Sequence, residues 1–199
     1  MIAIVDYGAG NLTSVKKAFD HLGVETVVTN QAEVLATAEQ VVLPGVGHFS
    51  ALRSLEVTGL RGVLLGAIRA GKPFLGICLG MQWLFEGSEE CPEIAGASLF
   101  TGFCQKFPTS VQSPHVGWNS LSMENPSRLL LGIAPSAFVY YTHSFFAPVV
   151  AATTGQSEYG VQFSGMVEHD NIFGVQFHPE KSGDVGLQIL KNFCEMPGC

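Results

Sequence analysis

Four short, mostly apolar runs, each followed by a segment of helical periodicity, constrain this chain more than any other feature. They are Ile2–Val5, Val24–Val28, Val41–Leu43 and Pro73–Ile77. A strand buried on both faces reads as such a run, and parallel strands need a crossover, usually a helix, to connect them. After the first run, Leu12, Val15, Phe19 and Leu22 recur at helical spacing, with Thr13, Lys16, Lys17 and Asp20 off that face. Asn11 is placed to cap this helix and Gly23 to end it. Further helices are expected over Ala32–Ala38, Phe49–Leu55, Leu60–Arg69 and Leu79–Phe85. The expected fold class is therefore α/β, a mostly parallel central sheet flanked by helices.

The second half changes character. Val116–Met123, Ala137–Ser144, Val149–Thr153 and Met166–Phe177 are strand-like and separated by short turns, with a hairpin expected at Asp170-Asn171. A helix over Asp184–Phe193 closes the chain. These strands read as antiparallel additions to the sheet. No linker or internal repeat interrupts the 199 residues, of which 47% are hydrophobic, so residues 1–199 are expected to form one domain with a full core.

Charge and cysteine usage remove several function classes. A net charge of −7 argues against a nucleic-acid or anionic-membrane surface. No apolar stretch approaches the roughly 20 residues of a membrane helix. The five cysteines are odd in number, irregularly spaced and without a CxxC pair, so neither a disulfide framework nor a zinc site is expected, and the cytoplasm is the expected compartment.

The sharpest local pattern is Phe74-Leu75-Gly76-Ile77-Cys78-Leu79-Gly80-Met81-Gln82. An apolar strand enters a Gly-x-Cys-x-Gly turn and leaves as a helix, the cysteine version of a nucleophile elbow. That turn exposes its central side chain at the carboxyl end of the sheet and sets Cys78 at a helix N-terminus, which favours the thiolate. Most free cysteines are instead inert core residues, and the flanking glycines at a strand–helix junction are what favour a nucleophile here.

A thiolate needs a base, and Phe177-His178-Pro179-Glu180-Lys181-Ser182 offers one with its orienter attached. Pro179 biases His178 towards extended backbone, where residues two apart share a side. Glu180 can then fix the imidazole tautomer as a triad requires. The plain alternative, a surface turn, loses weight because the elbow is in the same chain. Leu43-Pro44-Gly45-Val46-Gly47-His48 follows a strand, and its Val46 or Gly47 amide, with the N–H of Leu79, can form an oxyanion hole. Gly45 and Gly47 give this loop the freedom to take two arrangements.

Other patterns carry less. Gly8-Ala9-Gly10-Asn11-Leu12-Thr13 imitates a dinucleotide fingerprint but has Thr13 where the last glycine belongs. His21, His48, His115, His143 and His169 show no metal-ligand spacing, so no metal and no cofactor are expected. Trp118 and Tyr140-Tyr141 read as core or interface aromatics.

Together these residues resemble the class I (triad) glutamine amidotransferases, and within them the glutaminase subunits of imidazole glycerol phosphate synthase. The resemblance runs from Asp6-Tyr7-Gly8-Ala9-Gly10-Asn11 through Pro44-Gly45-Val46-Gly47, the elbow, His115-Val116-Gly117-Trp118-Asn119 and Tyr141-Thr142-His143-Ser144-Phe145 to the His-Pro-Glu segment. It implies a flavodoxin-like sheet, Cys78 as nucleophile, His178 as base then acid, and Glu180 as orienter. It further implies glutamine contacts from Gly45 and Gly47, from Gln82, and from the Ser144-Phe145 backbone. The implied partner is a separate (β/α)8-barrel cyclase in a heterodimer, with the first Gly-rich segment and His115–Asn119 near the docking face. The chain departs from the pattern between Glu86 and Pro114, where Gln105-Lys106 stands in place of an arginine. Two alternatives stay open at this point: the glutaminase of another synthase, and a non-catalytic regulatory subunit.

Overall fold

The computed structural model describes residues 1–197. In chain order the elements are β1 (Ile2–Val5), α1 (Leu12–His21), β2 (Thr26–Thr29), α2 (Ala32–Thr37), β3 (Gln40–Gly45), α3 (Arg53–Val57), α4 (Leu60–Arg69), β4 (Phe74–Cys78) and α5 (Leu79–Trp83). There follow β5 (Gly87–Ser88), β6 (Phe103–Lys106), β7 (His115–Met123), β8 (Ala137–His143), β9 (Phe145–Phe146), β10 (Thr153–Glu158), β11 (Gln162–His169), β12 (Ile172–Val175) and α6 (Gly183–Cys194).

Nine strands form one sheet in the order β2-β1-β3-β4-β12-β11-β10-β7-β8. The first five are mutually parallel and the remaining pairings are antiparallel. The α/β expectation with antiparallel additions holds. Alternation along β1 explains the layers: Ala3 and Val5 face a core with Leu35, Leu55 and Leu64 from α2, α3 and α4. Ile2 and Ile4 face the opposite core, with Phe19 of α1 and Leu190 and Phe193 of α6. Each face of the sheet is thus covered by helices, as its apolar runs demand.

The helix punctuation is as expected at α1. The Asn11 side chain accepts from the Ser14 amide at 3.3 Å, and Gly23 follows the helix in left-handed backbone at φ 70°. The hairpin turn falls at Asp170, φ 51°, between β11 and β12.

Some boundaries differ from expectation. Val149–Thr153 is not a strand; the strand there is β10, Thr-Thr-Gly-Gln-Ser-Glu, which has no apolar residue. Two of its buried hydroxyls are paired, Thr153 with Ser164 at 2.6 Å and Ser157 with Tyr141 at 2.8 Å, while that of Thr154 has no partner. Phe49–Leu55 begins as a 3-10 turn over Phe49–Leu52 before α3. The helix expected to reach Phe85 stops at Trp83. A small sheet β5-β6-β9 was not expected at all.

Candidate active site

The elbow is built by close approach of backbone to backbone. Cys78 is the last residue of β4 and holds φ 54° and ψ −105°, a conformation L-residues rarely adopt. A Cβ on Gly76 would lie 2.5 Å from the Gly80 carbonyl oxygen, and one on Gly80 would lie 1.8 Å from that of Leu43. Both flanking glycines are therefore steric necessities of the turn. The result places Cys78, with only 6% of its surface exposed, in the wall of a cavity of about 230 Å3.

His178 comes to this place from the strand edge beyond β12. Its Nδ1 donates to Glu180 Oε1 at 2.9 Å, with both side chains at most 2% exposed. The pair meets as expected but by a different route. His178 is extended, whereas Pro179–Lys181 is a 3-10 turn that swings the carboxylate back beneath the ring. Burial disfavours the imidazolium, yet the sulfur of Cys78 and the Glu180 carboxylate outweigh it and push the His178 pKa up to about 10. The buried Nε2 makes no well-formed hydrogen bond, so sulfur and ring stand in electrostatic contact while Glu180 holds the ring through Nδ1.

The other expected residues divide into two groups. Leu79, Gln82, Ser144, Phe145 and Gly47 line the same cavity as Cys78. Gly45 does not; it lies at the end of β3 against the Tyr7 ring and Leu79, where a Cβ would come within 2.4 Å of the Tyr7 hydroxyl. Val46 is 37% exposed beside Gly47, whose φ is 96° and around which a Cβ would meet nothing within 4 Å. The Phe145 carbonyl is fully engaged, accepting from Gln82 Nε2 at 2.7 Å and from His143 Nδ1 at 2.9 Å. Any hydrogen bond from Phe145 to a ligand must therefore use its N–H.

Three further residues belong here that local sequence reading did not single out. Gln176 is buried, and its Nε2 lies 3.7 Å from Cys78 Sγ while its Oε1 accepts from Gln82 at 3.2 Å. Its position two residues before His178, on extended backbone, was the available signal. Glu90 brings a carboxylate to the cavity and is held by the Phe49 amide at 2.7 Å. His143 lines the cavity through a long-range pairing that no spacing rule reveals. Among the described residues, no group of three His, Cys, Asp or Glu side chains could hold a metal, and no helix is long and apolar enough to cross a membrane.

Residues 3–196 match the family described as glutamine amidotransferase class-I. The imidazole glycerol phosphate synthase subunit HisH of Bacillus cereus (strain G9842) is 48% identical over 195 residues, covering 97% of this chain and 93% of that protein. The subunit of the same name from Methanothermobacter thermautotrophicus is 46% identical over 198 residues, covering 98% of each. Among solved structures, PurLQS from Thermotoga maritima superposes with a TM-score of 0.74 at 19% identity, covering 97% of this chain and 96% of that one, which supports the fold. The chain belongs to the class-I glutamine amidotransferases, among the HisH subunits of imidazole glycerol phosphate synthase.

Proposed function

We propose that this chain is the ammonia-producing half of a two-subunit synthase, hydrolysing glutamine through a Cys78 thioester. Cys78 Sγ attacks the side-chain amide carbon, and His178 gives its proton to the departing ammonia. His178 then takes a proton from water, which cleaves the thioester to glutamate. Glu180 holds the ring so that Nε2 serves the sulfur, and Gln176 steadies the sulfur by donating to it. The N–H of Leu79, with that of Val46 or Gly47, receives the oxyanion in both halves of the reaction. Glu90 offers its carboxylate to the α-ammonium of glutamine, and Gln82 with the Ser144-Phe145 backbone closes round the rest.

The observation that carries this reading is a strained, glycine-locked Cys78 in the wall of a cavity, its sulfur in electrostatic contact with a buried His178–Glu180 pair. We assign the ammonia to a separate (β/α)8-barrel cyclase in a heterodimer, which would form imidazole glycerol phosphate and aminoimidazole carboxamide ribotide. The docking surface fits the outer face of β7 and β8, where Val116, Trp118 and Phe138 are each more than half exposed. Residues 1–199 act as one domain in this account, in the cytoplasm, where thiols stay reduced.

The test is Cys78→Ala in the two-subunit complex. Glutamine-dependent product should vanish, while product formation from added ammonium salts should persist, because the cyclisation chemistry belongs to the partner. Loss of both activities would make Cys78 structural and end the assignment.

A further inference from the structure

The pairing of β7 with β8 sets His115 directly opposite His143, 28 residues along the chain, and both rings are buried. His115 Nδ1 and His143 Nε2 are 3.1 Å apart. His143 Nδ1 lies 2.9 Å from the Phe145 carbonyl oxygen, which can only accept. The direction of the whole chain follows from that one fact. His143 must carry its proton on Nδ1, so the Nε2 of the neutral ring is an acceptor. His115 must then donate from Nδ1, which leaves its Nε2 to accept from Asn119 Nδ2 at 3.5 Å. Asn119 is itself anchored by donating to the Glu158 carbonyl at 2.9 Å.

Burial supports the neutral state this scheme requires. It lowers His143 to about 3, with the neighbouring histidines adding to the effect, and lowers His115 to about 4. The His115 ring is also clamped between Tyr159, at a centroid distance of 4.0 Å and 16°, and Tyr141, at 5.0 Å and 22°. This stacking opposes the turn that would exchange its nitrogens.

From the Phe145 carbonyl the chain continues inward. That oxygen also receives Gln82 Nε2, Gln82 Nε2 reaches Gln176 Oε1, and Gln176 Nε2 points at Cys78 Sγ. Because the Phe145 carbonyl can only accept, its placement fixes which end of the Gln82 amide is nitrogen, and Gln82 in turn fixes the Gln176 amide.

We infer that His143, His115 and Asn119 are positioning residues for glutamine recognition: a one-directional hydrogen-bond relay that sets the Phe145 carbonyl and, through it, the orientation of Gln82 in the substrate cavity. The inference rests on the glutaminase reading and extends it to residues that never touch the reacting atoms. Because the relay shapes the ground-state pocket, its loss should act on KM more than on kcat.

The experiment is steady-state glutamine hydrolysis by the two-subunit enzyme carrying single substitutions. His143→Leu and His115→Leu should each raise KM for glutamine about tenfold, the effect of roughly one lost hydrogen bond, with a smaller fall in kcat. An asparagine amide nitrogen occupies nearly the place of an imidazole Nδ1, and a glutamine amide nitrogen that of Nε2. His143→Asn and His115→Asn should therefore return KM to within about threefold of wild type, because one lost hydrogen bond is restored, whereas His143→Gln and His115→Gln should not. Thermal melting of each variant separates recognition from packing: the KM ranking should follow donor position, not melting temperature. A wild-type KM in both Leu variants, or Asn and Gln variants that behave alike, would overturn the relay. Absence of turnover in the wild-type enzyme would overturn the glutaminase reading and the relay with it.

Discussion

The Cys78 elbow and the turn at Gly47, just after β3, both use glycine, and for opposite reasons. At the elbow, Gly76 and Gly80 have no room: a side chain at either would enter neighbouring backbone at 2.5 and 1.8 Å. In the loop, Gly47 has nothing within 4 Å, and its glycine is needed only for a φ of 96°. The first arrangement holds Cys78 in one strained conformation; the second leaves open space around Gly47. On the proposed mechanism, the difference separates a prebuilt Cys78–His178–Glu180 arrangement from adjustable oxyanion donors.

The comparison breaks first at Gly80. Gly80→Ala should cost about 4 kcal/mol or more, or yield no folded protein, since a backbone carbonyl of β3 cannot move aside without unpairing the strand. Denaturant unfolding of the purified variant measures it, and a loss under about 1 kcal/mol would mean the elbow relaxes easily. Gly47→Ala sharpens the contrast. It should cost only about 1–2 kcal/mol of stability, the strain of left-handed backbone in an open site, yet lower glutamine turnover about a hundredfold. Unfolding and kinetics on the same preparation decide whether the two effects part in this way.

Acid should act on the wall behind the elbow rather than on the loop. His115 and His143 are held below the ordinary value near 6.5, so the unfolded chain binds protons more readily than the folded one. Their contribution is complete above about 6.5 and is lost progressively as the pH falls, towards about 4 for His115 and about 3 for His143. His178, pushed up to about 10, behaves oppositely: its contribution is present below about 6.5 and fades as the pH rises through 10. Melting temperature against pH should show the acid limb flattened in His143→Asn and unchanged in Gly47→Ala.

The sequence exposed the locked half of the molecule more fully than the rest. Buried parallel strands and the Gly-x-Cys-x-Gly turn are local patterns, so β1, β3, β4, the elbow and the His-Pro-Glu segment could be read directly. The Val149-Val150 pair drew attention by its hydrophobicity, while the true strand, β10, is polar, with Thr153 and Ser157 paired through their hydroxyls, and no apolar pattern signals it. β5, β6 and β9 are two to four residues long, and Phe103, Gln105 and Lys106 of β6 are exposed, leaving no alternation to detect. Gln176 and Glu90 enter the cavity through tertiary approach, and the His115–His143 pair exists only in the β7–β8 register.

Turnover of the isolated chain at saturating glutamine, set against that of the complex loaded with a non-reacting acceptor analogue, tests the division between lock and loop most directly. With the triad prebuilt and the oxyanion donors left to an unconstrained loop, the lone chain should be slower by about a hundredfold, the effect of one missing donor. Equal rates in the two would contradict the account, because the oxyanion hole would then be as fixed as the elbow.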